Sequence, residues 1–156
     1  MNANNMTEIF GEPISRYTRR QAIDDGILVQ LSGDGYEGDE WIPKMCAEAG
    51  YRIPVAMTTT AFVACVMPLE ESSEQLAPCQ DPKGRLWDVL FVMRLFVARR
   101  VREVREGSVR FNLSVRQNVP RGSKLRGRQK TVTLKAVLGG DDDGRPCITI
   151  MFPHES

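Results

Sequence analysis

Near Gly107 the hydrophobic period of the chain changes, and that change restricts the fold more than any other feature. Across residues 85–105, Leu86, Leu90, Met93, Val97 and Val101 recur at steps of four and three. That spacing puts one apolar stripe on an α-helix. Trp87, Phe91 and Leu95 widen the stripe, so the first half of this long helix should be buried on most sides. Its second half is Arg-rich and should end in solvent. Beyond Gly107 the period is two: Val109, Phe111, Leu113 and Val115 alternate with Arg110, Asn112, Ser114 and Arg116, the pattern of a half-buried strand. Residues 131–138 alternate again, with Val132, Leu134 and Ala136 on one face, and residues 147–152 are an apolar strand. Residues 119–128, with Pro120, Gly122 and Gly127, form a basic loop, and residues 139–144 form a turn. Three consecutive strands joined this way predict a three-stranded antiparallel C-terminal meander packed against the long central helix, an α+β fold.

The N-terminal half predicts short helices. Thr18 has the character of an N-cap, Gln21 stands three residues on as in a capping box, and Gly26 supplies a C-terminal stop. A buried strand over residues 27–31 should follow. Residues 32–39 are a loop by composition; their carboxylates do not fall at the spacing of an EF-hand calcium loop. Residues 40–49 read as a helix ending at Gly50, with Pro43 tolerated only in its first turn. Pro54 separates it from a further short helix over residues 58–66. Residues 68–83, polar and carrying Pro78 and Pro82, read as a connector.

A chain of 156 residues, 42% hydrophobic and 26% charged, fits a single domain over residues 1–156 with one core. The first residues lack the basic and apolar regions of a secretory signal. The most apolar window, residues 86–98, is interrupted by Asp88 and Arg94 and is shorter than the roughly 20 residues a membrane span needs. Cys46, Cys65, Cys79 and Cys147 form no CxxC pair and read as reduced thiols, mostly small core residues, which fits a cytoplasmic protein. Neither a metal site nor a cofactor site is expected.

Charge is divided along the chain. Residues 94–135 hold thirteen basic residues and two acidic ones, Glu103 and Glu106, a net of +11. The remainder holds eight basic and eighteen acidic residues, a net of −10. Ten of the thirteen cations are Arg, whose planar fork suits phosphate and carboxylate. Two explanations compete: a solvated surface neutralised by the chain's own acidic half, or a docking surface for an acidic partner. The candidate partner-binding residues are Arg99, Arg100, Arg102, Arg116, Arg121, Lys124, Arg126, Arg128 and Lys130. Phe111 is the one aromatic residue across residues 97–135, so base stacking has little to work with. The acidic residues Asp34, Glu37, Asp39, Glu40, Glu70, Glu71, Glu74 and Asp141 to Asp143 raise the opposite idea, imitation of a phosphate backbone. A net charge of +1 argues against mimicry as the main device.

No catalytic residues are assigned. GxSxG, P-loop, HExxH and GxGxxG patterns are absent, and the lone His154 stands two residues from the last residue, where chains tend to fray. A helix on an antiparallel sheet leaves a small ribonuclease-like enzyme as a third possibility, using His154 with Arg and Glu side chains on the sheet.

Several blocks resemble a known set of proteins. They are Ile9-Phe10-Gly11-Glu12, Tyr17-Thr18-Arg19 with Ala22-Ile23 and Gly26, and Gly84-Arg85-Leu86-Trp87-Asp88-Val89-Leu90. Val132-Thr133-Leu134-Lys135 and Gly144, Pro146, Ile148-Thr149-Ile150-Met151 and Pro153 complete the pattern. Together they resemble a domain-of-unknown-function family of small proteins encoded on bacterial plasmids, integrative elements and phages. Departure from the family is expected over residues 119–130. The resemblance implies a setting rather than an activity. In that setting the chain is expected to be a non-enzymatic binding protein that docks on a host protein or ribonucleoprotein complex, as an anti-CRISPR or anti-restriction inhibitor does. A nucleic-acid-binding accessory protein of plasmid or phage maintenance, acting through segment 94–135, is the alternative. No membrane is expected among its partners.

Overall fold

The last strand in sequence lies in the middle of the sheet, and this placement organises the rest. The structure, a computed structural model, describes residues 17–67, 81–99, 107–116 and 129–155. In chain order the elements are α1 (Arg19–Asp24), β1 (Leu28–Gln30), α2 (Trp41–Glu48), β2 (Val55–Thr58), α3 (Thr59–Cys65), α4 (Pro82–Arg99), β3 (Ser108–Arg116), β4 (Gln129–Gly140) and β5 (Pro146–Met151). The five strands form one sheet in the order β1-β2-β5-β4-β3. The chain is therefore α+β, and the strands of the expected three-stranded meander lie within a wider, five-stranded mixed sheet. β3, β4 and β5 pair antiparallel, while β5 also pairs parallel with β2, which pairs antiparallel with β1.

β2 is the element the sequence concealed. All four of its residues are buried, so Val55-Ala56-Met57-Thr58 shows no alternation and lies between Pro54 and a helix start. β1, expected to be buried, is a half-buried edge strand of three residues, and Ile27 before it is 54% exposed. It is half-exposed because it has a neighbour on one side alone.

Local chemistry explains the helices. In α1 the Thr18 hydroxyl accepts from Gln21 N–H at 3.1 Å and the Gln21 amide oxygen accepts from Thr18 N–H at 2.8 Å, the expected capping box. α2 carries Pro43 in its first turn and ends at Gly50, whose φ of +96° is the left-handed conformation a helix stop uses. The Arg94 guanidinium lies over Gly50 and donates to Ala49 O at 2.7 Å, so a Cβ at position 50 would stand 2.8 Å from Arg94 Nη1. α3, expected over residues 58–66, is capped by Thr58, whose side chain accepts from Ala61 N–H at 3.3 Å. α4 starts earlier than the connector assignment allowed: Pro82 opens it, and the Asp81 carboxylate accepts from Gly84 N–H at 2.9 Å. Proline is tolerated there because the first helical N–H has no partner within the helix. The expected continuation of this helix to residue 105 lies outside the described residues.

α4 buries Leu86, Val89, Leu90 and Met93 against the sheet side that carries Phe111, Leu134 and Ile150. Burial of each such side chain contributes roughly 1.5–3 kcal/mol. Phe96 meets Phe111 with ring centroids 6.3 Å apart. Cys46, Cys65 and Cys147 are buried free thiols, and burial pushes the first two up to about 11. Thiols so held are structural rather than reactive. No helix among the described residues is long and apolar enough to cross a membrane.

Candidate partner-binding surface

β3 and β4 are built on strict alternation, so each carries one core row and one outward row. Val109, Phe111 and Leu113 are buried opposite Leu134 and Ala136, whereas Ser108, Arg110, Asn112, Ser114, Thr131 and Thr133 are exposed. Thr133 donates to Asn112 Oδ1 at 2.9 Å across the strands. Near β5 and β2 the same sheet side is closed. Ala56 and Cys147 are buried there, the α1 residue Arg19 donates to Thr149 Oγ1 and Ile148 O, and Thr58 Oγ1 donates to the Glu155 carboxylate at 2.8 Å. One half of the face is thus covered and the β3–β4 half is open.

The cations of segment 94–135 divide into two groups. Arg94 and Lys135 serve the fold: Arg94 holds the α2 stop, and Lys135 Nζ donates to Glu155 O at 2.6 Å. Arg99, Arg110 and Lys130 are exposed, and among the described residues no ion pair involves them. Arg99 ends α4 near the base of the hairpin, two residues after Val97, which lines a small hollow with Gly107, Ser108 and Val109. Lys130 lies at the other end, opposite Val115. About 20 Å of strand separates the two positions at ~3.3 Å per residue, so the structure does not bring them together. Arg116 is placed at the end of β3 by its backbone. Arg100, Arg102, Arg121, Lys124, Arg126 and Arg128 lie outside the described residues. Charge counting selected these residues and passed over Ser108, Asn112, Ser114, Thr131 and Thr133, although the alternation already turned that row outward.

The acidic end behaves differently. Asp142 accepts from the N–H groups of Arg19 and Arg20 at 2.8 and 3.0 Å, capping the first turn of α1 from 122 residues away. Asp141 Oδ1 accepts from Asp143 N–H at 2.9 Å and Arg145 N–H at 2.8 Å, which closes the β4–β5 turn. Burial would raise the Asp141 carboxyl, but those backbone donors and the Arg145 guanidinium together hold it below the ordinary range. Arg145 also pairs with Asp34 and Asp143, each at 3.2 Å. Asp34 and Asp141 to Asp143, considered as phosphate mimics from sequence, are thus engaged inside the molecule. At the C-terminal end, where fraying is expected, Glu155 makes contacts with the rest of the fold. Its carboxylate accepts from Phe152 N–H at 2.8 Å, and His154 stacks on Phe152 at 5.6 Å. Among the described residues no cluster of three or more His, Cys, Asp or Glu could hold a metal ion.

Neither a curated protein nor a solved structure matches the chain. A family model does, over residues 3–156, and the chain belongs to that family, a family of unknown function designated DUF6573.

Proposed function

We propose that the chain is a non-enzymatic binding protein whose basic segment, residues 94–135, docks on an acidic surface of a host protein or ribonucleoprotein complex. The observation that supports this is the unequal use of charge. The described carboxylates at the β4–β5 turn are engaged by Arg145 and by backbone N–H groups of α1, not by the basic segment. Arg99, Arg110 and Lys130 meanwhile remain exposed without an ion pair among the described residues. Self-neutralisation is therefore the weaker of the two explanations, and Arg is among the residues that most often dominate protein interfaces. In the mobile-element setting that the sequence resemblance implies, occupying such a complex in the cytoplasm would serve counter-defence, as an anti-CRISPR or anti-restriction inhibitor.

Affinity purification of the tagged chain from its host after nuclease treatment tests this reading. A stoichiometric protein partner that is retained after nuclease, and is lost when Arg121, Lys124, Arg126 and Arg128 are replaced by Glu, is the expected result. A partner bound equally by that variant would overturn the assignment.

A further inference from the structure

We propose that the open face of the β3–β4 hairpin binds the backbone of duplex DNA, with Arg110, Asn112, Ser114, Thr131 and Thr133 as its contact row. The inference rests on the reading of the chain as a binding protein that acts through its basic segment. It adds a contact on the sheet to the one at the helix end and loop, and names the polyanion that this second contact takes.

Three observations carry it. β4 pairs with β5 only from Lys135 onward, so residues 129–134 are paired with β3 alone. This leaves a two-stranded ribbon about 20 Å long at ~3.3 Å per residue. Its two sides differ in chemistry: Phe111, Leu113 and Leu134 are buried in the core, whereas Asn112, Ser114, Thr131 and Thr133 are exposed. The row offers hydroxyl, amide and guanidinium groups, the types that contact phosphate and sugar. Finally, residues 107–140 contain eight Lys or Arg and no Asp or Glu. A phosphate backbone presents one sign of charge throughout, which suits a segment without carboxylates.

The ribbon selects the type of nucleic acid. The major groove of B-form DNA, about 12 Å wide, admits a two-stranded ribbon that presents one face. The major groove of duplex RNA is too narrow for side chains to read. Single strands are held by stacking on aromatic residues, and the exposed row has none.

Fluorescence anisotropy of the full chain with a short labelled DNA duplex of mixed sequence tests the proposal. Affinity should fall about a hundredfold between roughly 50 and 200 mM salt if about four phosphates are engaged. Arg110→Glu, and separately Ser114→Glu with Thr131→Glu, should each weaken binding about tenfold or more with unchanged thermal unfolding. Lys44→Glu on α2 makes the same change in net charge away from the hairpin and should bind as the parent does. No salt-dependent binding, equal loss in the Lys44 variant, or tighter binding of single-stranded DNA or duplex RNA would overturn the inference. Retention of a nuclease-resistant protein partner alongside any of those results would leave the docking reading standing and remove the DNA face alone.

Discussion

The β4–β5 turn and the β3–β4 hairpin are both densely charged and exposed, yet they use charge in opposite ways. At the turn, Asp141, Asp142 and Asp143 are joined to Arg145 and to the first turn of α1, and Asp34 completes the cluster through Arg145. On the hairpin, Arg110 and Lys130 stand in solvent without such partners among the described residues. The turn's charges fix where elements sit, so removing one should be felt in stability. Lys135 apart, which is tied to Glu155 O, the exposed Arg110 and Lys130 hold no other element in place among the described residues, so removing either should be felt in binding. Sequence composition sees only a net of −10 against +11; the structure separates charge engaged by the fold from charge left exposed among the described residues.

The largest expected effect is on binding. Replacing Arg121, Lys124, Arg126 and Arg128 with Glu should lower partner affinity by roughly a hundredfold or more, the scale of about 3 kcal/mol, while leaving the unfolding midpoint in place. Calorimetric titration and thermal melts of the same preparation check both halves. A melt that moved as much as the affinity would erase the distinction between the two regions.

Next in size is the core that carries the hairpin. Phe111→Ala removes a fully buried ring packed on Phe96 and should destabilise the fold by about 3–5 kcal/mol. Urea unfolding measures it. A loss below ~1 kcal/mol would mean that the hairpin is not anchored through this row. Gly50→Ala should cost roughly 2 kcal/mol, because it forces a left-handed conformation and meets the guanidinium of Arg94. Arg94→Ala combined with it should recover the steric part, a non-additivity that a double-mutant cycle reads directly.

Much of this was legible in the sequence, for local reasons. The capping box at Thr18 and Gln21, the stop at Gly50 and the alternation of β3 and β4 are written within a few residues of where they act. β2 was not legible because Val55-Ala56-Met57-Thr58 is covered on both faces and gives no period. The place of β5 was not legible either, since pairing beside β2 joins positions 55 and 148, and no local signal reports such a contact. The role of Asp142 was hidden in the same way. An aspartate between two others in a Gly-flanked turn reads as solvated, and only the folded chain brings Arg19 N–H to it at 2.8 Å. For the candidate surface, Arg count gave the region, but strand register was needed to separate Arg99 at the base of the hairpin from Lys130 at its far end.

The smaller effects belong to the acidic end. Asp142→Ala leaves two N–H groups of α1 without their carboxylate and should cost about 1 kcal/mol, with no change in partner affinity. Hydrogen exchange at the amides of Arg19 and Arg20 localises the loss. The Asp141 carboxyl is held below its ordinary value of 3.8, so its stabilising contribution is fully present above that pH. The contribution should fade as pH drops below 3.8 toward the lower folded value. Acid titration of the parent against Asp141→Asn reads the difference, and the two curves should converge at the acid end.

The central claim is that the basic segment is left over from folding in order to meet an acidic partner. Its most direct test is one comparison of three chains in the same nuclease-treated host lysate: the parent, the fourfold Glu variant of residues 121, 124, 126 and 128, and Asp142→Ala. The account predicts that the parent and Asp142→Ala retain the same stoichiometric partner and the fourfold variant loses it. Retention by the fourfold variant, or loss by Asp142→Ala while it remains folded, would contradict it.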